Sequence, residues 1–188
     1  MDFTISGITD RISKRLGDTS GDHYTDRAKE YFYEAMSMLI AKGDYEVYDI
    51  PTLMKSETIT ISAETGEIAL DSIFSDDIFP SRVVSISSIG NKFYEIPMLE
   101  FSNQRSKGAI SPVMDDVYYS IFNGNINFTP ELRDDVTIYA ILNPDDSIFI
   151  DGTTEYDLVS ELGFGIDFVL RCISLAYQEL SNTEIVRE

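Results

Sequence analysis

The chain has 188 residues, 43% of them hydrophobic, enough to bury the core of one compact domain or of a domain carrying an inserted subdomain. One cysteine, Cys172, and one histidine, His23, exclude an intrachain disulfide and a Cys/His zinc site within a single copy. Fourteen basic residues against 33 acidic ones leave a net charge of −19, a field that repels phosphate and opposes gripping nucleic acid through its backbone.

The opening MDFTISGITDRISKRLGD lacks the unbroken apolar core of a signal peptide. No stretch approaches the roughly 20 apolar residues that span a bilayer, so a soluble chain made in a cytoplasm, without a membrane partner, is expected. The acidity is uneven: residues 1–56 hold 10 acids and 7 bases, 57–150 hold 15 and 5, and 151–188 hold 8 and 2. Eleven tyrosines and eleven phenylalanines, with no tryptophan, suit β-structure and broad contact surfaces better than a disordered chain.

In chain order, Ile5, Ile8, Ile12 and Leu16 draw one apolar stripe down a first helix, whose exposed side carries Asp10, Arg11, Lys14 and Arg15. After the loop Gly17–Gly21, a longer helix is expected from about Asp22 to Ala41 or Lys42, with the stripe Tyr24, Ala28, Tyr31, Phe32, Ala35, Met36 and Leu39. Asp22 and Asp26 in its first turn, Lys42 in its last and Gly43 beyond agree with the helix dipole and with a glycine stop. Leu53 and Met54 suggest a short helical turn.

From Glu57 the period changes to two. ETITISAETGEIAL reads as a hairpin, with Ile59 and Ile61 before an Ala-Glu-Thr-Gly turn and Ile68 and Leu70 after it. Further strands are expected in SRVVSISSIGNKFYEIP, with Val84, Ile86 and Phe93 facing inward, and Pro97–Gln104 reads as a short helix or loop. VYYSIFNGNINF holds the strongest local signal, two β-prone runs separated by Asn123-Gly124, which favours a type I′ turn. DVTIYAIL, with Val136, Ile138, Ala140 and Leu142 on one face and Thr137, Tyr139 and Ile141 on the other, is the expected central strand. Helical spacing returns from about Gly165 to Ser181, with Ile166, Val169, Leu170, Ile173, Ala176, Tyr177 and Leu180 on one face.

Helices, then strands, then a helix, with no βαβ alternation, predict an α+β fold. The expected architecture is a small bundle of two N-terminal helices and a C-terminal helix, carrying an inserted antiparallel β-rich domain. Its divisions fall at 1–56, 57–150 and 151–188.

Residues able to carry chemistry are few. His23, near the start of the second helix and without a local partner, reads as a capping or exposed residue, and Cys172 as a small apolar core residue. The doublets Asp76-Asp77, Asp115-Asp116, Asp134-Asp135 and Asp145-Asp146 fall near turns or strand ends, where aspartate is common; glycosidase carboxylates or hard-cation ligands are their functional alternative. Only NPDDSIFIDG, through Asp145, Asp146 and Asp151, offers a candidate Ca²⁺ site, and it lacks the EF-hand spacing. Neither GxxxxGK[ST] nor GxGxxG occurs, and Gly163-Phe164-Gly165 follows no clear strand. No catalytic residue and no cofactor is assigned, and a non-enzymatic protein is expected.

The order of segments resembles that of the head-to-tail connector, or adaptor, proteins of short-tailed bacteriophages, including the ring proteins of crAss-like phages. The likeness runs over about 22–184. DRAKEYFYEAMSMLIAKGDYEVYDIPTLMKSETITI is similar to the family's early helix leading through a short connection into the first strand. FPSRVVSISSIGNKFYEIPMLEFSNQRSKGAISPVMDDVYYSIFNGNINFTP resembles its succession of strand, tyrosine-bearing strand, brief helix and hairpin. DDVTIYAILNPDD is similar to its final strand ending in Asn-Pro, and TTEYDLVSELGFGIDFVLRCISLAYQELSNTE to the closing helix that packs on the N-terminal helices. The short Ser181–Glu188 end departs from family members that carry an extended tail.

The resemblance implies a virion protein of the neck, forming a ring, commonly dodecameric, between portal and tail. Its partners would be the portal protein, other connector or tail proteins and its own copies, with DNA passing through a channel without specific binding. Interface aromatics are then expected at Tyr118, Tyr119 and Phe122, or those residues close the subunit's own core. Arg11, Lys14 and Arg15 are the expected docking face for an acidic portal or neighbouring subunit. Competing readings are another tail or baseplate structural protein, a carboxylate-dependent glycan hydrolase, and a binding module for a cationic partner.

Overall fold

The computed structural model describes residues 2–18, 24–46, 49–61, 66–74, 80–106, 116–129 and 135–185, and the chain adopts the α+β fold expected from its sequence. It divides into two compact units: Met1–Met54 with Asn143–Glu188, and Lys55–Leu142.

In the first unit, α1 (Ile5–Arg15) starts where the Thr4 side chain accepts the Gly7 N–H, and it buries Ile5, Ile8 and Ile12. Helix α2 (Thr25–Lys42) buries Ala28, Phe32, Ala35, Met36, Leu39 and Ile40, so Ile40 joins the predicted stripe while Tyr24 and Tyr31 stay at its margin. It ends as expected at Gly43, where the Gly43 N–H returns to the Ile40 carbonyl and the Asp44 N–H to that of Leu39. Asp22 and His23 lie outside the described residues. The turn predicted at Leu53 is a single tight helical turn, Pro51–Leu53.

Helix α5 (Ile166–Ile185) packs along α2 and against α1. Its buried face is Phe168, Val169, Cys172, Ile173, Ala176 and Leu180. The predicted face was set too far round, since Ile166 is 47% exposed and Leu170 38%. A stripe through Phe168, Cys172, Ala176 and Leu180 has the same helical spacing and buries a large aromatic ring, so the greater apolar area decides which face turns inward. Gly165 precedes the helix because a Cβ there would sit 2.1 Å from the Asp49 carboxylate, while the Gly165 N–H donates to the Asp49 carbonyl.

Short elements complete this unit: α4 (Asp146–Phe149) and the two-stranded ribbon of β8 (Ile150–Asp151) and β9 (Thr154–Glu155), numbered after the strands of the second unit. The Phe149 ring lies 5.6 Å from that of Tyr33 and 5.9 Å from that of Phe164. This packing carries residues 143–150 into the helical unit, so the division falls after Leu142 rather than at 150 as the sequence suggested.

Among its described residues the second unit holds seven strands, one α-helix and a single tight helical turn, Leu70–Ser72. Strands β1 (Met54–Thr60), β7 (Asp135–Leu142) and β3 (Pro80–Ser87) form one sheet with β7 in the centre. As its sequence predicted, β7 buries Val136, Ile138, Ala140 and Leu142; Ile141 on the other face is buried as well. Strands β2 (Glu67–Ala69), β6 (Asn125–Thr129), β5 (Asp116–Phe122) and β4 (Lys92–Glu95) form the other sheet, and α3 (Met98–Ser106) packs on β5 through the buried Phe101. Asn123 and Gly124 hold φ of 50° and 75° between β5 and β6, the positive values that a type I′ turn demands.

Three expectations change. The segment from Glu57 to Leu70 is not a hairpin: β1 borders β7, and β2 pairs with β6. The most apolar strand takes the central place and recruits a neighbour on each edge, which overrides the local turn signal. Nor is the unit purely antiparallel, because β4 runs parallel to β5, a pairing allowed by the long connection through α3. Val84 is 44% exposed because the register slips between Val83 and Ser85, which makes it the extra residue of a bulge.

Replacing Phe168 by Ala is expected to destabilise the protein by about 3–5 kcal/mol, against less than about 0.5 kcal/mol for Ile166→Ala. Urea titration of the two variants checks the orientation of α5; equal losses would contradict it.

Candidate functional site

The α1 surface brings Arg11, Lys14 and Arg15 together on the rim of an open concavity of about 460 Å³, which Asp2, Gly7 and Asp10 complete. The Arg11 guanidinium lies 5.5 Å from the centre of the Phe3 ring, and its Nη2 donates to the Asp2 carbonyl at 3.3 Å. Its Nη1 is shielded from solvent and has no acceptor among the described residues, a state that costs about 1–3 kcal/mol. Lys14 pairs with Asp10 at 2.6 Å, one helical turn away, in an exposed ion pair. Hydrogen bonds from the Thr4 N–H and hydroxyl hold the Asp2 carboxyl below its usual range. Arg15 is exposed and has no carboxylate partner among the described residues.

The aromatic candidates separate. Tyr119 is only 6% exposed, 6.3 Å from the Phe128 ring; burial first, then the charge and hydrogen bond of Glu95, push its hydroxyl up to about 12. It closes the subunit's own core, the second of the two roles expected for these aromatics, because the assembled sheet turns its face of β5 inward. Tyr118, on the opposite face, is half-buried with its ring 5.6 Å from that of Tyr94, and Phe122 is 48% exposed beside the hairpin turn. Sequence reasoning passed over Tyr94, because only the parallel register of β4 on β5 sets it opposite Tyr118. It also assigned no role to the outer face of the β7 sheet, where exposed Tyr139 stands opposite Ser85 and Thr137 opposite Ser87, with Thr58 hydrogen-bonded to Thr137.

The proposed calcium residues are engaged otherwise. Asp145 caps α4 by accepting the Ser147 N–H and hydroxyl. Asp146 accepts the Tyr33 hydroxyl at 2.7 Å and the Lys29 ammonium at 2.8 Å, bonds that lower its pKa, first through Lys29 and then through Tyr33. Asp151 stands in β8. Among the described residues no group of three or more His, Cys, Asp or Glu side chains is placed to hold a metal ion, so the calcium expectation for Asp145, Asp146 and Asp151 is withdrawn.

Of the other doublets, Asp116 and Asp135 open β5 and β7, and Asp135 accepts the Thr60 hydroxyl. Asp76, Asp77, Asp115 and Asp134 lie outside the described residues. Cys172 is fully buried, and burial pushes its thiol up to about 12, where it is not a nucleophile at neutral pH.

Compared with known proteins, the sequence matches no family model and no curated protein. No helix among the described residues is long and apolar enough to cross a membrane.

The Lys29–Asp146–Tyr33 cluster predicts a pH window. The folded pKa of Asp146 is depressed from 3.8, so its contribution is present above that value and is lost as pH falls through the folded one. That of Lys29 is raised from 10.5, first by the bond to Asp146, so its contribution is present below 10.5 and is lost as pH rises through the folded value. A partly exposed pair contributes roughly 0–1 kcal/mol, so Asp146→Asn is expected to lower the melting temperature by up to about 4 °C between pH 5 and 9. Thermal melts across pH check this: the difference should shrink as pH falls below 3.8, and a difference undiminished at the lowest pH at which the protein stays folded would assign the effect to packing.

Proposed function

We propose that this chain is a non-enzymatic structural protein of the virion, of the head-to-tail connector kind, which forms a ring joining portal and tail around a channel for the genome. The observation that carries the reading is topological. The chain starts a helical unit with α1 and α2, leaves it through β1, builds a unit of strands, returns through β7, and closes the helical unit with α5 packed on α2 and α1. That is the succession of elements on which the resemblance to phage connectors rests.

Two further features support it. Exposed aromatic area at Tyr94 and Phe122, with the half-buried Tyr118 between them in sequence, offers contact surface of the kind that interface cores use. The surplus of carboxylates, 33 against 14 basic residues, suits a conduit whose wall must not hold DNA.

Mass spectrometry of purified particles from the source, followed by cryo-EM reconstruction of the portal vertex, tests the proposal. The expected result is a ring of this chain between portal and tail. Absence from the particles would overturn it, and a position at the distal end of the tail would replace it with the baseplate reading. Phe122→Asp changes an exposed residue and should leave stability within about 0.5 kcal/mol, while reducing the amount incorporated into particles.

A further inference from the structure

We infer that the open edge of β1 pairs, antiparallel and about a two-fold axis at Ser56, with β1 of a second copy of this chain. The contact goes beyond the ring reading, since a two-fold contact is not the lateral contact of a cyclic ring, and it stands or falls separately.

An open sheet edge presents a row of unpaired N–H and C=O groups, and folded chains blunt such edges with shortness, proline or a bulge. Among the four edges of the two larger sheets, three carry such a device. Strand β2 has three residues and β4 has four, while β3 opens with Pro80 and is interrupted by the bulge at Val84. Strand β1 runs for seven residues without proline and borders β7 alone. Its side-chain bonds across that pair, Thr58 to Thr137 and Thr60 to Asp135, keep an antiparallel step. Lys55, Ser56, Glu57 and Thr58 are exposed and no residue of β1 is fully buried, so the strand is held by one ladder with little side-chain packing. A second ladder along the open edge supplies what packing does not.

The occupant follows from the charges on that edge. Lys55 and Glu57 are two residues apart, hence on one face of the strand, and neither is in an ion pair among the described residues. In an antiparallel pair centred on Ser56, Lys55 of each copy stands opposite Glu57 of the other, Met54 stands opposite Thr58, and the small Ser56 meets its own counterpart at the axis. The edge is therefore complementary to itself, with two opposite-charge pairs across the ladder. A parallel pairing in register sets Lys55 against Lys55 and Glu57 against Glu57, and is disfavoured. The net charge of −19 on each copy opposes association, so local pairing and overall repulsion predict different effects of the same substitution.

Sedimentation velocity of the full chain over a range of concentrations, at about 0.15 M salt where charges more than about 8 Å apart are largely screened, tests the inference. The variants are Lys55→Glu, Glu57→Lys and the two combined, which change exposed residues, with melting temperature recorded as the control for folding. A wild-type dimer is expected. Each single substitution sets like charges opposite each other twice and should weaken the dimer about tenfold or more. The combined exchange restores both pairs at the wild-type net charge and should return the affinity to within about threefold of wild type. Glu57→Lys is the decisive variant, because it reduces the net negative charge: overall repulsion alone predicts a tighter dimer, and edge pairing a weaker one. A wild-type chain monomeric up to its solubility limit would overturn the inference. So would a Glu57→Lys dimer as tight as wild type, or a combined exchange as weak as the single ones. The presence or absence of the chain in particles leaves each of these outcomes unchanged.

Discussion

The packing of α5 on α2 is the contact on which the rest of the helical unit depends. Phe168, Val169, Cys172, Ile173, Ala176 and Leu180 arrive from the last quarter of the chain to cover a core whose other walls, Phe32, Met36, Leu39 and Ile40 among them, come from its first quarter. Everything between must bring the chain back to where it left. The β unit meets that demand because its first and last strands, β1 and β7, are neighbours in one sheet, tied through Thr58 and Thr137. A folding chain with such long-range closure has a high contact order, and slow folding relative to a helical bundle of similar size follows.

The acidity of the sequence serves two purposes. Several carboxylates hold the helical unit together locally: Asp157 accepts the N–H groups of Phe3, Val159 and Ser160, Glu155 that of Ser6, and Asp49 that of Glu46. For Asp157, burial acts to raise the pKa, and the hydrogen bonds from Ser160, Phe3 and Val159 outweigh it, so the carboxyl lies below its ordinary range. Asp146 ties α4 to α2 in the same manner. The exposed carboxylates that bind nothing among the described residues add to the negative field of the surface.

Features decided within a few residues were legible in the sequence. Asn123-Gly124 fixes its turn by positive φ, β7 carries an unmistakable alternation, and the spacing of Arg11, Lys14 and Arg15 already placed them on one helix face. Features set by distant partners were not. The separation of β1 from β2, the parallel seating of β4 and the bulge at Val84 are properties of pairings across the sheet. Alternation placed Tyr118 and Tyr119 on opposite faces, yet only the assembled sheet decides that Tyr119 points inward and that Tyr94 meets Tyr118. Asp145 and Asp146 read as turn residues with a cation site as the alternative, and the bonds of Asp146 to Lys29 and Tyr33, more than a hundred residues away, were not legible.

The chain forms two units, each with a core of its own, and α5 completes the first. Replacing Lys55–Leu142 by a short flexible linker and recording circular dichroism during thermal unfolding tests it most directly. A cooperative transition from a mainly helical state is the predicted result, since α1, α2 and α5 keep their shared core. A spectrum of an unfolded chain, or a helical signal lost without cooperativity, would contradict it.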